Sequence, residues 1–168
     1  MRGLFVPSLS STTFVGDSWA AVYFGGMFKR APGSSTWTPM NTGLDDKRVY
    51  GFAVHPGISP YRGYAATRGG GVYKTTDGGA NWTTVNNGLG CVYVNAVQFI
   101  GVAATATPTP ATNGVGATES TDRLLASTSC GSDSGVYLST DGGTNWTLTS
   151  GMSPGVAAIG VTRVNPSG

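Results

Sequence analysis

The chain has 168 residues, a length that fits one domain able to bury a core. Charged residues make up only 11% of it, and the net charge is +2. The basic residues are scattered, which excludes the basic stripe of a nucleic-acid binder. No apolar run approaches the length of a membrane span. Because lysine is scarce and Glu119 is the single glutamate, long solvent-exposed helices are not expected.

In chain order the sequence predicts short strands, rich in β-branched and aromatic residues and separated by Gly, Pro, Asn and Asp. They form three groups of four: 4–9, 18–24, 27–30 and 36–40; then 49–56, 61–68, 71–76 and 81–86; then 93–100, 122–129, 135–140 and 145–150. Several are apolar on both faces, as expected for sheets that are covered on both sides.

Two further segments interrupt or extend this pattern. Residues 103–121 are rich in Pro, Thr and Ala without a period, and they predict a surface loop inserted into the third group. Residues 155–164 resemble the first strand of another group. The chain is therefore predicted to carry three complete groups of strands and one extra terminal strand.

One stretch recurs in each group. It is GMFKRAPGSSTWT at 26–38, GVYKTTDGGANWT at 71–83 and GVYLSTDGGTNWT at 135–147. With the insertion discounted, the repeat is about 45 residues long, which is the length of a four-stranded propeller blade. The first copy is worn, since Pro32 replaces the aspartate.

The two good copies predict a turn that closes each hairpin. Aspartate accepts hydrogen bonds from amides a few residues later, and glycine adopts positive φ without penalty. Because Asp77 and Asp141 occupy equivalent places in different groups, they should lie far apart and are poor candidates for paired catalysts. A calcium site built from one aspartate and turn carbonyls is a minor alternative. The predicted structural residues are Thr75, Asp77, Gly79, Trp82, Ser139, Asp141, Gly143 and Trp146.

The pattern S/T-x-D-x-G-x-x-W, preceded by G-V-Y, resembles the Asp-box, or BNR, repeat of β-propellers. The resemblance implies an all-β domain of about three four-stranded antiparallel blades, at 4–42, 49–88 and 93–150, plus the extra strand. Families with this repeat include xyloglucanases, sialidases, sortilin-like receptors and photosystem assembly factors. In them the boxes lie at the blade periphery, away from any active site, so the motif marks fold and not function.

The glycosidase families suggest one weak catalytic candidate. The xyloglucanase-like members use two aspartates across a cleft, and Asp133 in CGSDSGVY is the nearest counterpart. Its partner could be Asp17, Asp45 or Asp46, and no motif chooses among them. A sialidase is disfavoured because Glu119 lies in the insertion. A solvated loop residue is the favoured interpretation of Asp133.

Other singular residues point to structure more than to chemistry. His55 is expected to hydrogen bond at a strand end, and no second His or spare Cys completes a zinc set. No metal and no cofactor are expected. Trp19, Tyr50, Tyr61 and Tyr64 could form a platform for stacking sugars, but aromatic residues of propellers more often belong to the core.

The two cysteines fall at facing strand ends of the third group. A simple antiparallel register pairs Cys91 with Cys130, and also Phe99 with Asp122. A cross-strand disulfide would indicate an extracellular or cell-surface protein, although the N-terminus lacks the long apolar stretch of a signal peptide. Two buried free thiols are the alternative.

Two hypotheses about function follow. Three blades leave uncovered apolar faces, which predicts a homo-oligomer joined through open blade edges. The favoured hypothesis is a non-enzymatic structural or binding module, extracellular and self-associating, with carbohydrate as one candidate partner. The alternative is a fragment or relative of a glycoside hydrolase, xyloglucanase-like or sialidase-like.

Overall fold

A computed structural model describes residues 3–5, 16–55, 60–102 and 122–150. In these ranges the chain forms twelve strands and one short 3-10 turn at Gly131–Asp133. The first sheet contains β1 (Gly3–Phe5), β2 (Ser18–Val22), β3 (Gly26–Arg30) and β4 (Thr38–Pro39). The second contains β5 (Val49–Val54), β6 (Gly63–Thr67), β7 (Gly71–Thr75) and β8 (Thr83–Thr84). The third contains β9 (Val94–Val102), β10 (Asp122–Thr128), β11 (Gly135–Ser139) and β12 (Thr147–Leu148).

Each sheet is an antiparallel meander, because strands that are consecutive in sequence are neighbours in the sheet. This is the topology of propeller blades, and the predicted all-β, four-stranded fold is confirmed. The predicted loop 103–121 and the predicted strand 155–164 lie outside the described residues.

The outermost strands are shorter than predicted, with two residues each. In the second sheet the amide of Trp82 donates to the carbonyl of Thr42, in the connection that leaves the preceding sheet. The amide of Asn81 is bound by the Asp77 carboxylate. Since neither amide is available to β7, the ladder begins only at Thr83.

The register predicted for the third sheet is wrong. Phe99 pairs with Leu124, and Asp122 pairs with Val102. The physical reason is two irregularities in the β9–β10 ladder, between Arg123 and Leu124 and between Ser127 and Thr128. Each bulge shifts the pairing, so a single sum of residue numbers does not describe the hairpin.

The sheets pack face to face through two apolar cores. The first core lies between the first and second sheets, and its buried side chains include Trp19, Met27, Met40, Val49 and Trp82. The second lies between the second and third sheets, and its buried side chains include Tyr64, Val72, Val97, Leu124 and Trp146. The middle sheet therefore contributes to both cores, as its apolar pattern predicts.

The strands of the three sheets end along the same two sides of the molecule, which we call the box edge and the opposite edge. The box edge is where the second strands begin and the third strands end, with the turns of residues 75–82 and 139–146. The opposite edge is where the second strands end and the third begin, and it also holds the connections between sheets. Isolated bridges join Tyr23 to Arg48 and Arg68 to Tyr93 at this opposite edge, so adjacent sheets present it on the same side.

Candidate functional site

The box turn of residues 75–82 is closed by a compact set of hydrogen bonds. The Thr75 hydroxyl donates to Asp77 Oδ1 (2.8 Å) and accepts from the Gly79 amide (3.0 Å). The Asp77 carboxylate accepts from the amide of Asn81 (2.9 Å) and from its side-chain Nδ2 (2.8 Å). Gly79 has a φ of 89°, a conformation that glycine adopts without strain.

The turn of residues 139–146 repeats this set. Ser139 donates to Asp141 Oδ1 (2.9 Å) and accepts from the Gly143 amide (2.9 Å). Asp141 in turn accepts from the amide (2.9 Å) and the side chain (2.8 Å) of Asn145. Every carboxylate contact described here is local, which is the geometry of a turn and not of an acid–base pair.

Both box carboxylates have a lowered pKa. For Asp77 the leading cause is the hydrogen bond from the Asn81 side chain, followed by that from the Asn81 amide. For Asp141 burial opposes ionisation, but the hydrogen bonds from Asn145 and Ser139 outweigh it. A general acid needs a raised pKa. The lowered pKa of these two carboxyl groups favours their ionised form and makes them poor proton donors.

The tryptophan of each box fastens its sheet to the preceding one. Trp82 Nε1 donates to the carbonyl of Met40 (3.0 Å), and Trp146 Nε1 donates to that of Val85 (2.8 Å). Both side chains are about 96–97% buried, with exposures of 3% and 4%. Each indole thus satisfies its N–H while it fills an apolar core between sheets.

The worn copy in the first sheet is held differently. The amide of Ser34 donates to the carbonyl of Ala31 (3.1 Å), and the Ser34 hydroxyl accepts from the Thr36 amide (3.0 Å). Trp37 is only half-buried, and the guanidinium of Arg30 lies 5.2 Å from its ring centroid. Its indole therefore stays at the surface and fastens no neighbouring sheet among the described residues.

A second repeated turn was missed by the sequence reasoning. Asn41 accepts from the Met27 amide (2.8 Å) and donates to the Gly25 carbonyl (3.0 Å). Asn86 makes the equivalent bonds to Val72 and Gly70, both 2.8 Å. The signal was present, since Asn-Thr-Gly-Leu at 41–44 and Asn-Asn-Gly-Leu at 86–89 follow the first and second copies of the box at the same spacing.

A buried polar cluster joins the second and third sheets at the box edge. Arg62 donates to Asp122 Oδ1 (2.6 Å), and the Tyr64 hydroxyl donates to Asp122 Oδ2 (2.9 Å). His55 Nε2 lies 3.8 Å from the same carboxylate, and its ring packs against Phe99. Asp122 is fully buried and Arg62 is 5% exposed, so this cluster meets no substrate and holds the sheets together.

The carboxylates considered as catalysts are divided between the two edges. Asp17 lies at the box edge, 3.4 Å from Lys29. Asp133 lies on the 3-10 turn at the opposite edge and is exposed. Asp46, at that same edge, is bound by Arg48 Nε at 2.8 Å. Burial opposes the ionisation of Asp46, but the hydrogen bonds from Arg48 outweigh it and lower its pKa.

The structure places Cys91 and Cys130 in a disulfide, with a Cα–Cα distance of 6.2 Å. It links the connection that enters the third sheet to the turn that follows β10. Tyr93 lies two residues after Cys91, and its carbonyl accepts from the Ser129 amide (3.0 Å). The disulfide therefore braces the opposite edge next to Tyr93. Among the described residues no group of three or more His, Cys, Asp or Glu side chains could hold a metal ion.

The opposite edge carries a continuous surface that we call the aromatic surface: Tyr23, Phe24, Tyr50, Arg68 and Tyr93. The ring centroids of Tyr23 and Phe24 are 4.3 Å apart, and those of Tyr23 and Tyr50 are 5.4 Å apart. Arg68 donates to the Tyr50 hydroxyl (2.9 Å), and its backbone bridges to Tyr93. Rings from the first and second sheets thus join one surface.

Phe24 is the unusual member of this surface. Its side chain is 67% exposed, and its φ of 63° is the only positive φ of a non-glycine residue in the described ranges. Glycine (Gly69) occupies the equivalent place after β6. A left-handed backbone costs a side-chain-bearing residue about 1–2 kcal/mol. An exposed aromatic ring kept at a strained position favours a role in binding.

The aromatic residues considered for a sugar-stacking platform lie mostly in the cores, as favoured from the sequence. Trp19 and Tyr64 are fully buried in the cores, and Tyr61 packs against the first core. Tyr50 alone belongs to the aromatic surface. Phe24 and Tyr93 were not singled out from the sequence, although the phrase VYFGG, where the next group has TRGGG, departs from the repeat at this turn.

Comparisons with known proteins add little beyond the fold. No family model and no curated protein matches the chain. One similar solved structure is the GH74 xyloglucanase from Xanthomonas campestris, with 17% sequence identity and a TM-score of 0.46. The match covers 92% of this chain and 31% of that enzyme, so the chain spans about a third of its length. The fold assignment rests on the sheets described above.

No helix among the described residues is long and apolar enough to cross a membrane.

Proposed function

We propose that the chain is a non-enzymatic carbohydrate-binding module built from Asp-box propeller blades, working outside the cell and self-associating. The observation that carries the proposal is the aromatic surface, above all Phe24, exposed at 67% with a φ of 63°. The faces of a pyranose ring present C–H groups that pack on the electron-rich face of an aromatic ring. Tyrosine hydroxyls and Arg68 beside these rings offer hydrogen bonds to sugar hydroxyls.

The other residues of the opposite edge support binding in preference to chemistry. Asp46 is engaged by Arg48 and its pKa is lowered, so it is a poor proton donor. Tyr93 and Val92 are 46% and 41% exposed, which extends the apolar area beyond the rings of the first two sheets. An open surface of this kind suits the side of a long polymer better than a small enclosed molecule.

The disulfide supports the extracellular part of the proposal, because such bonds persist in oxidising compartments. Apolar side chains on the outer face of the third sheet support self-association. Leu125 and Leu138 pair across β10 and β11 on the face of the third sheet turned away from the second, and both are half-buried. Native mass spectrometry across a concentration series tests this part, and a strict monomer would contradict it.

Affinity electrophoresis through gels containing neutral or acidic polysaccharides tests the binding function. The wild-type chain should be retarded by at least one of them, and Phe24→Ala and Tyr93→Ala should each lose roughly tenfold in affinity. Leu148→Ala is the matched control, since Leu148 is 52% exposed but lies on the outer strand of the third sheet. Unchanged migration of the folded wild-type chain in every gel would contradict the proposal.

A glycoside hydrolase is the second candidate, favoured by one observation. Asp133 is exposed at the same edge as the aromatic surface. Release of reducing ends from xyloglucan, or of sialic acid from sialosides, with loss in Asp133→Asn, would replace the non-enzymatic proposal by this one. Binding without hydrolysis would retain the binding module.

A further inference from the structure

Two guanidinium groups lie at the opposite edge in different states, Arg68 within the aromatic surface and Arg48 next to it. Arg48 is neutralised by Asp46, with Nε to Oδ1 at 2.8 Å and a second nitrogen to Oδ2 at 3.2 Å. Arg68 is exposed and has no carboxylate within 4.0 Å among the described residues. The surface therefore carries one uncompensated positive charge.

The side chain of Arg68 is held in place by Tyr50, and its guanidinium still has N–H groups with which to bind a ligand. One terminal nitrogen donates to the Tyr50 hydroxyl at 2.9 Å, and the guanidinium carbon lies 5.3 Å from the Tyr50 ring centroid. Tyr50 is itself in contact with Tyr23, 5.4 Å between ring centroids. Held in this way, Arg68 can direct its remaining N–H groups outward as a planar fork, the arrangement that matches a carboxylate.

The arginine is not part of the repeated fold. The residues at the equivalent position after the second strand are Tyr23 in the first sheet and Ser129 in the third. Three sheets close the same hairpin with three different side chains, so packing does not demand arginine here. Arg68 shares the aromatic surface with the exposed rings of Tyr93 and Phe24, which favours a ligand that uses both charge and stacking.

We infer that the ligand is a polysaccharide containing uronic acids, whose carboxylate binds Arg68 while a pyranose ring stacks on the exposed aromatic side chains. The inference rests on the proposed carbohydrate-binding function and specifies its ligand class. The carboxylate of a uronic acid is attached directly to the sugar ring, so one residue of the polymer can reach the guanidinium and an adjacent aromatic face together. The low net charge of +2 gives little general attraction to polyanions, so binding depends on this local contact.

Polygalacturonate and its fully methyl-esterified form test the inference, because they share the sugar and differ in the charge. The wild-type chain should bind the acid form roughly tenfold more tightly than the ester. Arg68→Gln should weaken binding of the acid form far more than binding of the ester, so that the preference is lost. The matched control is Arg123→Gln, which removes the same charge from an exposed site on β10 and should leave the preference unchanged. Melting curves of both variants check that the fold is intact.

The alternative outcomes separate the inference from the function beneath it. Equal binding of acid and ester would overturn the uronic-acid ligand while the carbohydrate-binding module stands. Equal losses in Arg68→Gln and Arg123→Gln, or equal binding to dextran sulfate, would show general attraction to polyanions and would also overturn it. Failure of the folded chain to bind any polysaccharide would overturn both.

Discussion

The box edge repeats the same stabilising residues in two sheets, whereas the residues after the second strands at the opposite edge differ from sheet to sheet. At the box edge, Asp77 and Asp141 make the same hydrogen bonds in two sheets, and Trp82 and Trp146 fasten each sheet to the one before. At the opposite edge the equivalent positions after the second strands hold Tyr23, Arg68 and Ser129. What repeats from sheet to sheet maintains the fold, and what changes is available for function.

The energetic character of the edges differs in the same way. The polar groups of the box turns are satisfied by local partners, and the tryptophans are buried. The opposite edge keeps Phe24 67% exposed in a left-handed conformation. Such strain is retained where it serves something other than stability. Substitutions at the box edge should therefore change unfolding, and substitutions on the aromatic surface should change binding.

The largest expected effect comes from the box tryptophans. Trp82→Ala removes a side chain that is 3% exposed and leaves the Met40 carbonyl without its donor. We expect the free energy of unfolding to fall by about 3–5 kcal/mol, measured by urea denaturation. Trp37→Ala is the control, because that half-buried ring contacts Arg30 at 5.2 Å and should cost no more than about 1 kcal/mol. Similar losses in the two variants would contradict the distinction between intact and worn boxes.

The buried cluster provides the next test. Asp122→Ala leaves the guanidinium of Arg62 buried without its 2.6 Å partner, which should cost about 3–5 kcal/mol. Asp17→Ala breaks the partly exposed ion pair with Lys29 (3.4 Å) and should cost no more than about 1 kcal/mol. If Asp122→Ala unfolds like the Asp17 variant, the cluster does not hold the second and third sheets together.

Acid should act on the box carboxylates with a smaller effect. The folded state lowers the pKa of Asp77 and Asp141 from the usual 3.8, so it binds protons more weakly than the unfolded chain. Their contribution is therefore complete above that pH and is lost as the pH falls through the folded values. The double variant Asp77→Asn, Asp141→Asn should be less stable at neutral pH and should lose less stability on acidification. The same loss of stability on acidification in the double variant and in the wild-type chain would contradict this role of the box carboxylates.

Much of the fold was predictable because each sequence repeat corresponds to one four-stranded sheet. The spacing of G-V-Y, aspartate and tryptophan gave the sheets, their strand order and the turns. The register of β9 with β10 was not predictable, since the bulges at Arg123/Leu124 and Ser127/Thr128 leave no mark in the residue pattern. The Arg62–Asp122 pair joins residues sixty positions apart, and pairing across sheets depends on packing that no local pattern states.

The candidate site was harder to predict for the same reason. Trp19 and Tyr64 are aromatic, as sugar-stacking residues are, but the alternation of side-chain direction along β2 and β6 points both into the cores. Phe24 has no motif of its own, and its exposure and its φ of 63° exist only in the folded chain. What the sequence does offer is a departure from the repeat, with Tyr23 and Phe24 where the second copy has Arg68 and Gly69.

The most direct measurement combines stability and binding in one variant, Phe24→Gly. Glycine adopts the φ of 63° without strain, so the melting temperature should stay unchanged or rise. The corresponding gain in unfolding free energy should be no more than about 1 kcal/mol. Affinity for polysaccharide should fall roughly tenfold, because the exposed ring is lost. A clear drop in melting temperature, or binding equal to that of the wild-type chain, would contradict the assignment of stability to the box edge and of binding to the aromatic surface.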